Sequence, residues 1–227
     1  MFIPFHDNTP FHVIRVQYFT LSIIAINIAV FLLTGASGNE DTLIAVASGF
    51  GIVPAEFTGS MAGALDPVPE PITLITYQFL HAGWWHLAGN MLFLWVFADN
   101  VEDAYGHIFF PFFYLATGAL GGLTHILLQP DSSNPLIGAS GAVAGVLAAY
   151  LVLFPKARVW VLLFFRIPWR FSAAMVLGAW FALQIASLFM TQDGEVAVAF
   201  WAHIGGFVSG LLITLLFRGW LMARATA

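Results

Sequence analysis

Six apolar segments constrain this chain more than any other feature. They run over Val16–Thr34, Trp84–Val101, Ile108–Leu128, Gly138–Phe154, Trp169–Met190 and Val196–Phe217, with no Lys or Arg in their interiors and Arg170 at the edge of the fifth. Most approach the roughly 20 residues that a helix, rising about 1.5 Å per residue, needs to cross a hydrocarbon core of about 30 Å. Composition agrees: of 227 residues, 60% are hydrophobic and 8% are charged, against about 25% charge in an ordinary soluble domain. A water-soluble globule and a disordered chain are excluded. So is a nucleic-acid binder, because no basic cluster exists to neutralise phosphates. The absence of cysteine removes disulfides, thiol catalysis and thiolate metal sites. The expected fold class is all-α: a polytopic membrane protein of six transmembrane helices, forming a single membrane domain over residues 1–227. The fourth segment is short, and reads as a central helix that starts inside the protein.

The seven basic residues set the topology. Arg15, Lys156, Arg158, Arg166, Arg170, Arg218 and Arg224 all fall on one side of such a bundle, the cytoplasmic side if the N-terminus is cytoplasmic. The outer connections carry none, yet hold Glu40, Asp41, Glu56, Asp66, Glu70, Asp131, Asp193 and Glu195. Residues Met1–Phe11 lack the basic region of a signal peptide. Together with the short termini, this points to a multi-pass protein of a prokaryotic plasma membrane, both ends inside, with no accessory domain. The first outer connection, Gly35–Gly83, is long enough to carry structure of its own. Its apolar residues (Phe50, Ile52, Val53, Phe57, Met61, Leu65) suit a loop resting in the outer leaflet.

Polar groups inside membrane spans are costly and mark function by default. His86 and Asn90 lie near the start of the second segment, Ser140 opens the fourth, and His203 stands about two turns into the sixth. All three segments run inward, so the four residues share one layer near the outer face, which would admit water. Ser140 sits among small residues, Gly138-Ala139-Ser140-Gly141-Ala142-Val143-Ala144-Gly145. At a helix N-terminus it has free backbone N–H groups beside it, suited to an oxyanion. Gly206 and Gly210 share a helical face with His203, and Gly141 and Gly145 form the matching pair. Small-xxx-small faces permit close helix contact, which would bring His203 within hydrogen-bond reach of Ser140. A serine becomes a nucleophile when a base takes its proton, and neutral histidine is suited to that.

The set His86-x-x-x-Asn90, Gly-Ala-Ser140-Gly and Ala-His203-Ile-Gly-Gly, in this order and on these segments, resembles the rhomboid family of intramembrane serine proteases. The resemblance covers a core of about residues 71–217, and His81 and Glu102-x-x-x-Gly106 fit it too. It implies a Ser140–His203 dyad without a triad carboxylate. His86, Asn90 and the Ser140 backbone N–H would hold the oxyanion, and Gly138, Gly141, Gly145, Gly206 and Gly210 would serve packing. Neither metal nor cofactor is implied. The partners would be transmembrane protein substrates within the lipid bilayer, entering past the bulky fifth segment (Trp180, Phe181, Leu183, Phe189). Non-cleaving rhomboid-like proteins that bind membrane clients are the alternative, but they typically lack the Ser or the His. Three departures stand out. Ala144 replaces a tyrosine that stacks on the histidine in some members, so either His203 is less tightly held or Trp201 or another aromatic substitutes. Thr73 lies where many members carry an Arg. Ala104 replaces a basic residue. No acid within the spans is placed to orient His203, and Glu102 reads as a structural cap.

Overall fold

A computed structural model describes residues 2–61, 67–164, 166–190 and 200–225 of the chain. Leu65, Asp66, Asp193, Glu195 and the first four residues of the sixth apolar segment lie outside them. Eight helices appear among the described residues: α1 (Tyr18–Thr34), α2 (Glu40–Phe50), α3 (Pro54–Phe57), α4 (Glu70–Thr76), α5 (Trp84–Leu128), α6 (Ser140–Leu153), α7 (Ala173–Met190) and α8 (Phe200–Ala225). A 3-10 turn, Tyr77–Phe79, follows α4. Three strands complete the fold: β1 (Phe2–Asp7), β2 (Arg158–Leu163) and β3 (Ile167–Ser172).

Helix α5 is two helical limbs joined across a kink at Gly106, whose φ of 78° and ψ of 161° leave the helical region. Asn90 bonds His81, and Leu115 bonds Gln78. A straight helix would hold Asn90 and Leu115 about 38 Å apart, so the chain doubles back at Gly106. Only glycine accepts that φ without strain; a Cβ there would also lie 2.7 Å from the Arg224 guanidinium, which would have to move aside. The two limbs correspond to the second and third apolar segments.

Helix α6 is the core of the bundle. Every residue from Gly141 to Tyr150 is buried, and the limbs of α5 and helix α8 enclose it. The outside of the molecule is the opposite of a soluble surface. Trp85 is 91%, Leu33 84% and Leu216 78% exposed, an apolar exterior that lipid would cover. Two helices, Trp84–Leu128 and Phe200–Arg224, are long and apolar enough to cross a membrane, and Tyr18–Thr34, Ser140–Leu153 and Ala173–Ala186 are shorter apolar helices.

The all-α expectation needs one correction. Strands β1, β2 and β3 form an antiparallel sheet in that order, with Phe2 opposite Leu163 and Arg158 opposite Ser172. The fifth segment therefore begins as a helix at Ala173, and Trp169–Ser172 belong to β3. The physical reason is a run of β-branched and aromatic residues, Val159-Trp160-Val161, that buries Val159 and Val161 while Trp160 lies under Arg170, 5.0 Å from its guanidinium. The long first connection carries α2 to α4. Asn39 caps α2, its side chain accepting from the Thr42 N–H at 3.0 Å.

Two buried carboxylates fasten the N-terminal segment to the α5 bend. Glu102 accepts from the Phe19 and Thr20 amides at 3.0 and 2.7 Å, from the Thr20 hydroxyl at 2.7 Å, and pairs with His107 at 2.6 Å. It thereby satisfies amides at the start of α1 that have no helical partner. Asp103 accepts from the His12, Val13 and Ile14 amides, in the segment before α1, at 2.7–2.8 Å. Replacing Glu102 by Ala leaves those donors buried and unpaired. The expected loss is about 3 kcal/mol of unfolding free energy in detergent; a change below about 0.5 kcal/mol would show that the carboxylate does not hold α1.

Candidate active site

Ser140 is the first residue of α6 and follows Gly138, whose φ of 131° places it where side chains are strained. A Cβ at Gly138 would fall 2.7 Å from His86 Nε2 and 3.7 Å from Ser140 Oγ. The imidazole of His86 and the serine hydroxyl thus flank the same point, and only a hydrogen atom fits between them. The amides of the first helical turn, from Ser140 onward, have no intrahelical acceptor. They lie beside the hydroxyl at the positive end of the helix dipole.

His203 reaches Ser140 from α8, with Nε2 2.6 Å from Ser140 Oγ. Glycines bring the two helices this close. A Cβ on Gly206 would overlap the Gly141 carbonyl oxygen, and one on Gly210 would come 2.6 Å from the Gly145 Cα. Gly145 in turn faces Thr117 of the second α5 limb, and Gly141 has the Tyr77 hydroxyl beneath it. Backbone therefore rests on backbone along this face, which maximises dispersion contact.

Asn90 stands one turn after His86. Its Nδ2 donates to His81 Nε2 at 3.1 Å, and the rings of His81 and His86 meet edge-on with centroids 5.0 Å apart. His81, in the turn before α5, is driven well below an ordinary histidine, to about 3, by burial first and by the neighbouring His86 second. It stays neutral, which leaves Nε2 free to accept from Asn90.

Five features escaped the sequence reading. Gln184 of α7 places Oε1 2.8 Å from His203 Nδ1. Trp180, one turn earlier, has its ring 6.1 Å from the imidazole, and Phe200 approaches edge-on at 6.2 Å. These two rings, rather than Trp201, are the aromatics against His203 among the described residues. Ala144 leaves room for Phe207, which stacks on Phe181 with centroids 4.0 Å apart. Tyr77 is fully buried, donates to the Gly118 carbonyl at 2.6 Å, and its own carbonyl accepts the Gly138 amide at 2.9 Å. Ile52 and Leu136 exchange both backbone bonds, at 3.0 and 2.8 Å, so the long first connection braces the loop that presents Ser140. Gln184 did leave a signal: it is the one polar residue in Ala173–Ala186. Thr73 hydrogen-bonds only locally, to the Glu70 carbonyl at 2.6 Å.

A serine–histidine pair at the mouth of a central helix, inside a mostly helical apolar bundle, is the candidate active site of a membrane protein. The Rhomboid domain model matches residues 69–220, and the chain belongs to the rhomboid family, a family of polytopic membrane bundles. Among curated relatives, mitochondrial Rhomboid protein 1 of Saccharomyces cerevisiae is 32% identical over 70% of this chain and 44% of its own length. Rhomboid protease GluP of Bacillus subtilis is 31% identical over 85% and 33%. The human mitochondrial presenilin-associated rhomboid-like protein is 28% identical over 83% and 45%. The chain thus spans less than half the length of these relatives. The yeast and human names overturn the expected prokaryotic plasma membrane. Span length and basic-residue bias read the same way in many bilayers, so they could not identify the organelle.

Two outcomes test this geometry. Gly206→Val is expected to cost at least about 2 kcal/mol, read as a lower thermal midpoint in detergent. Gly219→Val, on the same helix but facing open space, should leave the midpoint unmoved; equal effects would refute backbone contact as the reason for Gly206. The second outcome concerns acid. The unfolded chain protonates His81 below about pH 6.5, whereas the folded chain resists until about pH 3. The stability tied to this residue is whole above pH 6.5 and drains as pH falls toward 3. His81→Gln should flatten the acid fall of the melting temperature; an unchanged slope would remove His81 from that role.

Proposed function

We propose that this chain is an intramembrane serine endopeptidase that cleaves transmembrane segments of membrane proteins. The observation that carries the reading is the 2.6 Å approach of His203 Nε2 to Ser140 Oγ. Ser140 attacks the peptide carbonyl, and His203 takes its proton and then gives it to the leaving amine. The Ser140 amide, His86 and Asn90 stabilise the oxyanion; the position of His86 against Gly138 and the anchoring of Asn90 by His81 support those roles. Gly138 lets His86 approach, and Gly141, Gly145, Gly206 and Gly210 hold α6 and α8 together.

The reading includes six spans, counting the two limbs of α5 separately, in one membrane domain over residues 1–227 with its catalytic core at about 71–217. On the names of the yeast and human relatives, the membrane is a mitochondrial one. The bacterial relative is a protease by name, and that name supports the activity. A substrate helix must unwind locally, because helical hydrogen bonds hide its carbonyls. Gly or Pro near the cleavage point would favour that.

Labelling with a fluorophosphonate probe in mild detergent tests the nucleophile. Wild type is expected to label, Ser140→Ala not at all, and His203→Ala on the order of a thousandfold more slowly. A folded wild type that stays unlabelled, under conditions that label a known rhomboid protease, would instead favour client binding without cleavage.

A further inference from the structure

Among the described residues, no carboxylate hydrogen-bonds His203; its Nδ1 meets Gln184 instead. Between Ala173 and Ala186, in an otherwise apolar stretch, Gln184 points its one amide at His203. The geometry points to Gln184 as the positioning residue of the dyad: its Oε1 accepts from His203 Nδ1–H and so fixes the tautomer that leaves Nε2 unprotonated toward Ser140. This inference rests on the endopeptidase reading and names the residue that makes its base competent.

Three observations converge. First, the bonds lie at opposite ends of one ring, 2.8 Å to Gln184 Oε1 and 2.6 Å to Ser140 Oγ. A neutral imidazole has one donor and one acceptor nitrogen. An acceptor at Nδ1 therefore assigns the lone pair to Nε2, where a base must have it. Second, Trp180 lies four residues before Gln184 and faces the same imidazole. Residues four apart share a helical face, so one face of α7 supplies both the acceptor and the ring that limits imidazole rotation. Third, α6 offers the imidazole no ring at position 144, which is alanine and packs with Phe207. Positioning of His203 thus comes from α7. Helix α7 meets α6 and α8 far more sparsely than those two meet each other. The dyad is consequently complete only while α7 is seated, which joins the position of that helix to the basicity of the site.

Gln184→Met keeps the volume and removes the acceptor, whereas Gln184→Glu keeps an acceptor at the same reach. Folding of each is checked by its thermal midpoint. In the Met variant, fluorophosphonate labelling should slow at least about tenfold. Its kcat on a reconstituted transmembrane substrate should fall alike, with KM unchanged. The Glu variant should label faster than the Met variant. Nitrogen-15 NMR of histidine-labelled protein should show His203 with its proton on Nδ1 in wild type, and partly on Nε2 in the Met variant. Wild-type labelling rates in the Met variant, a change in KM alone, or an unaltered tautomer would each overturn the assignment. Failure of the wild type itself to label would count against the endopeptidase reading. The tautomer comparison needs no activity, so it would still test Gln184.

Discussion

The contact on which the rest depends is backbone against backbone, between Gly141 and Gly206 and between Gly145 and Gly210. Helices inside a bilayer gain nothing from hiding apolar surface, since lipid is as apolar as leucine. Close packing and satisfied polar groups have to do the work. Removing every Cβ along one seam lets α8 settle into α6, and the registry of that seam brings an imidazole to a hydroxyl one turn above it. A bulkier seam would set the helices farther apart, and a hydrogen bond of 2.6 Å does not survive such a displacement.

That seam fixes one direction; the long first connection fixes the other. Ser140 stands at the end of a loop, and loops are ordinarily mobile. Here the loop is pinned from three sides: Leu136 by Ile52, the Gly138 amide by the Tyr77 carbonyl, and the ground beneath Gly141 by the Tyr77 hydroxyl. Tyr77 also holds Gly118 of the second α5 limb. One buried phenol thereby relates the nucleophile loop, the long connection and a membrane-facing helix. Every polar atom it uses is paired, as burial demands.

Much of this was legible in the residues. Apolar period and length gave the helices, because lipid forces nearly all backbone polar groups into internal bonds. The bounds of the second and third apolar segments left room for a turn between them, where the structure places the bend at Gly106. Ser140 and His203 could be matched because small residues announce their partners by spacing alone. The sheet was not legible as such: β2 and β3 are apolar and aromatic like the spans they adjoin, so composition blended Trp169–Ser172 into a helix. Tyr77 and Gln184 were missed for a related reason. Each acts through a partner distant in sequence, Gly118 and His203, and nothing local in the chain names that partner. Gln184 was visible only as an unexplained amide in an apolar helix, the kind of residue that a search for charges passes over.

An amide behind the histidine suits this setting for a physical reason. A carboxylate in the same place would have to be stripped of water within an apolar bundle, at a cost that only an excellent partner offsets. Before the serine is deprotonated, the imidazole is neutral and offers no charge to offset it. A neutral carbonyl oxygen accepts the same Nδ1 proton and leaves no uncompensated charge in the resting site. What it gives up is electrostatic help when the imidazolium forms. On the endopeptidase reading, that loss would fall on a site whose helix N-terminus and nearby donors would favour the developing oxyanion. The trade thus places the stabilisation of charge on the substrate side of the dyad. Behind the histidine only orientation is needed, which a hydrogen bond and an indole ring can supply.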